Sequence, residues 1–114
     1  MDKKVDIIDV DKLQSKAFQA ADFLKTLANS NRLVILSRLL DEEMCVGDLE
    51  KNLDISQSAL SQHLSRMRAE GLVTTRRESQ QIFYRIKDER VQHMLRVTYE
   101  LFCLENADQV AVAV

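Results

Sequence analysis

Apolar residues recur along residues 11–29 at Leu13, Ala17, Ala20, Ala21, Leu24, Leu27 and Ala28. This three- and four-residue spacing places them on one helical stripe. Asn29-Ser30-Asn31 interrupts the stripe with residue types that cap helices. Leu33, Val34, Leu36, Leu39 and Leu40 then predict a second helix over about 31–41. Past the acidic turn Asp41-Glu42-Glu43 and Cys45, the residues Val46, Leu49 and Leu53 predict a short helix over about 46–53. Asp48 falls in its first turn, where the helix dipole favours an acid. Asp54-Ile55-Ser56 breaks the chain before a fourth helix over 57–70, with Ser56 as N-cap and Gly71 as stop.

The period then changes. Leu72-Val73-Thr74-Thr75 is rich in β-formers, and Ile82-Phe83-Tyr84-Arg85-Ile86 alternates beyond it. Residues 76–81 are expected to form the polar tip of a two-stranded hairpin. A last helix over about 88–105 carries Val91, Met94, Leu95, Leu101, Phe102 and Cys103. Residues 1–10 read as a flexible arm, 11–105 as one domain and 106–114 as a tail. The chain lacks proline and has two glycines, which disfavours turn-rich β architectures. The fold class is therefore mainly α with a small β-hairpin: about five helices, with the hairpin between the last two.

A short helix joined by a tight break to a second helix is the helix-turn-helix arrangement, and a following hairpin is a wing. On helix 57–70, Leu60, Leu64 and Met67 point inward, leaving Ser58, Ser61, Gln62 and Ser65 roughly opposite and Gln57 at the N-terminal end. Hydroxyls and amides exchange hydrogen bonds with base edges, and Gln pairs bidentately with adenine. The same face would suit the solvated side of an ordinary bundle. Arg66 and Arg68 on that helix, and Arg76 and Arg77 on the hairpin, tip the balance toward nucleic acid.

Composition first points the other way. The 114 residues carry a formal net charge of −2, whereas DNA-binding domains are often basic. The charge is unevenly placed, however. Residues 56–87 hold six basic and two acidic groups, net +4, and the segments on either side carry −3 each. The positive footprint that phosphate binding needs therefore coincides with the reading unit. No apolar run approaches the ~18 residues of a membrane helix, and the N-terminus has no signal-like apolar core. A cytoplasmic protein with reduced cysteines is expected, with no membrane partner. No nucleophile–base pair, carboxylate pair or phosphate-binding glycine loop points to an enzyme, and no cofactor is expected.

The stretch CVGDLEKNLDISQSALSQHLSRMRAEGLVTTRRESQQIFYRI, preceded by LANSNRLVIL, resembles the winged helix-turn-helix repressors of the ArsR/SmtB family. The likeness spans about residues 11–105. It implies a homodimer packed through the first and last helices, bound to a pseudo-palindromic double-stranded DNA operator and released by an inducer. By matching positions, it implies that Gln57, Ser58, Ser61, Gln62 and His63, with Arg66 nearby, lie in the major groove. Arg76, Arg77 and Gln80 would be wing contacts. Independently of the resemblance, the first helix, with Phe18, Phe23 and Leu24, and the helix over 88–105 offer more apolar surface than one small domain covers. A dimer would set two reading helices about one DNA turn apart.

The resemblance says least about the inducer. The family's arsenic-type C-x-C pattern falls here on Cys45-Val46-Gly47, with glycine in place of the second thiolate. Its last-helix zinc pattern retains Asp88, but Arg90, Leu101 and Leu104 replace the other ligands, and His93 stands alone. No metal site is expected. The wording is also similar to the metal-independent nodulation repressors and to a subgroup that senses reactive sulfur through two cysteines. Cys103 matches the second of those thiols, and Ser37 stands in the first position. Three alternatives remain: Cys45 partners Cys103, the switch is absent, or Ser37 replaces a cysteine. A cytosolic cysteine is also often a small buried hydrophobe.

Overall fold

Asn29 decides where the first two helices divide. Its side chain accepts the Arg32 N–H at 3.0 Å, so the second helix starts at Ser30 and the first must already have ended. The computed structural model of the chain describes residues 7–104. Within them run α1 (Val10–Leu27), α2 (Ser30–Arg38), β1 (Met44–Cys45), α3 (Val46–Asn52), α4 (Gln57–Ala69), β2 (Val73–Glu78), β3 (Gln81–Ile86) and α5 (Glu89–Cys103). Positions 1–6 of the expected arm, residue 105 and the expected tail over 106–114 lie outside the described residues.

Capping explains most boundaries. Asp9, Asn29, Ser56 and Asp88 each accept a backbone N–H of the helix that follows. Gly71, at φ +81°, ends α4 in the left-handed conformation that glycine adopts without a Cβ penalty. The second helix stops at Arg38 rather than at about 41, because Leu39 and Leu40 already belong to the turn toward Asp41, whose φ is 65°.

Two features of the hairpin differ from the expectation. The sheet has three strands, in the order β1-β3-β2, because Met44 and Cys45 pair with Tyr84 and Phe83. Two residues between an acidic turn and a helix carry no alternation that would mark them as a strand. The tip is also shorter than 76–81. Pairing continues from Val73↔Ile86 to Glu78↔Gln81, leaving Ser79-Gln80 as the turn, with Ser79 at φ 58°. Arg76 and Arg77 are therefore strand residues with opposite facings.

One core gathers Leu27, Ile35, Leu36, Leu39, Leu49, Leu60, Leu64, Met67, Leu72, Val73, Ile86, Val91 and Leu95. Every helix and both hairpin strands contribute, which fixes α4 and the wing relative to each other. α1 enters this core mainly through its last turn, at Leu27, with Phe23 packed against it. Arg90 of α5 lies over the Phe23 ring, 4.5 Å from its centroid, and clasps Asp88. Most of the remaining apolar surface of α1 is uncovered in the single chain. Phe18 is 84% exposed, and Val10, Leu13 and Leu24 are exposed too. At the far end of α5, Tyr99, Leu101 and Phe102 are likewise exposed.

Candidate nucleic-acid interface

The exposed polar face of α4 depends on how that helix is seated. Leu60, Leu64 and Met67 are fully buried and hold one side of the helix against the core. Ser56 caps it, accepting the Ala59 N–H at 3.1 Å. Gln57, Ser58, Ser61, Gln62 and Ser65 are all exposed on the other side. They form a strip of small or amide side chains bearing both donors and acceptors. Arg66 and Arg68 are exposed near its C-terminal end.

His63 departs from this group. Each residue advances roughly 100° around a helix, so His63 turns from Gln62 toward the body of the protein. It is half-buried in a cleft of about 450 Å³ between α1, α2 and α4, whose walls include Arg32, Arg66 and Glu70. Burial, followed by the charges of Arg32 and Arg66, holds its pKa below the ordinary imidazole value of 6.5. In the cleft wall, Arg32 donates to the Thr26 carbonyl at 2.8 Å and to the Glu70 carboxylate at 3.0 Å. It thereby ties α1, α2 and the end of α4 together.

The wing separates two arginines that look alike in sequence. Arg76 clasps the Glu43 carboxylate, with Nε–H at 2.8 and 2.9 Å from its two oxygens and the second terminal nitrogen at 2.8 Å. Its other terminal nitrogen meets Glu78 at 3.0 Å, and its guanidinium lies 4.7 Å from the Phe83 ring centroid. The Arg76 hydrogen bond, countered by desolvation, holds Glu43 below the ordinary carboxylate range. Arg77, on the opposite strand face beside Ile82, is exposed and has no ion-pair partner among the described residues. Gln80 sits exposed in the turn.

Glu43 was not among the residues the sequence singled out. It is 33 positions from Arg76, and only the pairing of β1 with β3 brings the two together. The available signal was the acidic turn 41–43 set against the Arg76-Arg77 pair.

The cysteines are not joined. Cys45 is buried at the N-terminus of α3, and Cys103 is exposed at the end of α5; both are free thiols. Ser37 is exposed on α2 and donates to the Leu33 carbonyl at 2.7 Å. Among the described residues, no group of three or more His, Cys, Asp and Glu side chains could hold a metal ion. No described helix is long and apolar enough to cross a membrane.

This arrangement matches known proteins over most of its length. The family described as "Bacterial regulatory protein, arsR family" matches residues 29–75. The transcriptional activator HlyU of Vibrio cholerae is 41% identical over 99 residues, covering 87% of this chain and 92% of that protein. A biofilm growth-associated repressor of Agrobacterium fabrum is 40% identical over 105 residues, covering 90% of each. The crystal structure of the regulator HlyU from Vibrio vulnificus superposes with a TM-score of 0.77 at 42% identity, covering 84% of this chain and all of that one.

Proposed function

This chain belongs to the arsR family of bacterial regulatory proteins, DNA-binding regulators of transcription, and from that premise we propose that it is a dimeric, sequence-specific repressor. The exposed polar face of α4, set on a fully buried Leu60–Leu64–Met67 seat and flanked by a wing, carries the proposal. Gln57, Ser58, Ser61 and Gln62 read base edges, Arg66 meets the adjoining backbone, and Arg77 and Gln80 reach DNA from the wing. His63 borders this surface from the cleft behind it. Related proteins bear the names of both activators and repressors. We assign repression because a relative 40% identical over 90% of each chain is named a repressor, and occupancy of a promoter suffices to block it.

The second copy is argued from α1 and α5. Their exposed Leu13, Phe18, Leu24, Tyr99, Leu101 and Phe102 exceed the scattered apolar exposure usual for monomers. Pairing these faces across a two-fold axis would set two α4 helices on a pseudo-palindromic operator.

Release from the operator by thiol modification is the regulation we propose, with Cys103 as the accessible thiol and Cys45 as the buried one. Ser37 favours a second reading, a constitutive repressor, because serine cannot join a disulfide or polysulfide bridge with Cys103.

Selection of bound sequences from a random duplex pool tests the DNA reading. A two-fold symmetric consensus supports it, and recovery of no preferred sequence rejects it. Intact mass and operator binding after polysulfide, peroxide or arsenite treatment separate the two regulatory readings. Thiol modification with DNA release supports the switch, and modification without release supports constitutive repression.

A further inference from the structure

The hairpin is braced from outside itself. Glu43 lies on the approach to β1, Arg76 on β2 and Phe83 on β3, and the Arg76 side chain touches the other two. A two-pronged clasp to one carboxylate, a second carboxylate at Glu78 and a stacked ring together hold the guanidinium. Arg76 meets both carboxylates directly, and Arg85 on the same sheet face also acts on Glu43, so the cluster is near neutral. For Arg76 to turn to a phosphate, it would have to give up its direct bonds to Glu43 and Glu78 and leave two carboxylates against one remaining arginine, Arg85, beside a polyanion. Arg77 faces the other side of β2 without such a partner among the described residues.

We propose that Glu43 and Arg76 form a strut that sets the position of the wing. Arg76 is then a positioning residue, and of the two β2 arginines it is Arg77 that contacts phosphate. The strut follows from geometry alone, whereas its consequence for affinity rests on the DNA-binding reading above. Glu43 gains a role despite being acidic and close to the DNA-facing unit. Simple charge repulsion predicts that removing its charge tightens DNA binding, and a strut predicts the reverse.

The test has two arms on the full chain. In the free protein, amide hydrogen exchange is compared for wild type, Glu43→Gln, Arg76→Ala and Arg76→Lys. The strut predicts faster exchange across β1–β3 in all three variants, because lysine lacks the fork that spans both carboxylate oxygens. Unchanged exchange would overturn it. In the second arm, affinity for a duplex selected by the wild type is measured over a salt series. Glu43→Gln and Arg76→Ala should each weaken binding about three- to thirty-fold, and the double variant should be no weaker than either, as for coupled neighbours. The salt slope should hold in Arg76→Ala and fall by about one in Arg77→Ala. Tighter binding by Glu43→Gln, or a slope loss of about one in Arg76→Ala, overturns the assignment. If the wild type prefers no duplex, the regulator reading fails, and the exchange arm still decides whether the strut exists.

Discussion

Arg32 of α2 and Glu70 at the end of α4 are joined at 3.0 Å, 38 residues apart in sequence. The arginine is almost wholly buried and also donates to the Thr26 carbonyl of α1. The pair links α1 and α2 to the end of α4. Glu70 is 40% exposed, so the pair keeps part of its solvent screening.

Replacing Arg32 with alanine should therefore cost less than breaking a fully buried pair, about 1–3 kcal/mol. Glu70→Gln, which keeps an acceptor for Arg32, should cost less than Glu70→Ala. Denaturant unfolding of the three variants checks the order, and equal stability of all three with wild type would contradict it.

The seat of the reading helix should be sensitive to volume. Leu64 is fully buried between α4 and the core. Leu64→Ala should cost about 2–5 kcal/mol, and the same change at Ser65, on the exposed face, should lie within about 0.5 kcal/mol of zero. Thermal unfolding of both variants measures the contrast.

The apolar faces of α1 and α5 should govern assembly. Phe18 and Phe102 are 84% and 71% exposed in the single chain. Phe18→Asp and Phe102→Asp should shift the protein to monomer in analytical ultracentrifugation while its helical circular dichroism persists. A dimer of unaltered affinity in both variants would remove these faces from the interface.

His63 should make stability depend on pH. Its folded pKa lies below the ordinary value, chiefly because burial disfavours the charged ring. Between the lowered value and about 6.5, the unfolded chain holds the extra proton, so stability rises with pH through that window. The contribution is fully present above about 6.5 and is lost as pH falls through the folded value. Wild type should thus lose stability relative to His63→Gln as pH falls below about 6.5. An NMR titration placing the His63 midpoint at or above 6.5 would contradict this.

The helices and the seat of α4 were legible in the sequence because both are local. Leu60, Leu64 and Met67 declare their side of the helix by spacing, and Ser56 and Gly71 mark its ends. The family was legible for a similar reason, since the reading helix and the GLV turn into the wing are contiguous. What spacing could not reveal depends on register. Met44-Cys45 becomes a strand only because β3 offers an edge. Arg76 and Arg77 appear equivalent until the ladder runs on to Glu78↔Gln81 and gives them opposite faces. His63 sits one residue past Gln62, and the difference shows only when α1 and α2 close the cleft behind it. Averaged over the chain, the net charge of −2 concealed the basic segment 56–87.

The central claim, that the exposed face of α4 reads base edges, is tested most directly by comparing the affinities of wild type and Gln62→Ala for a selected duplex and a scrambled one at physiological salt. The account predicts that wild type prefers the selected duplex by roughly 10³-fold or more. Gln62→Ala should lose about 1–3 kcal/mol of that preference, with unchanged melting temperature and unchanged affinity for the scrambled duplex. Equal affinity of the wild type for both duplexes, or a Gln62→Ala variant with undiminished preference, would contradict it.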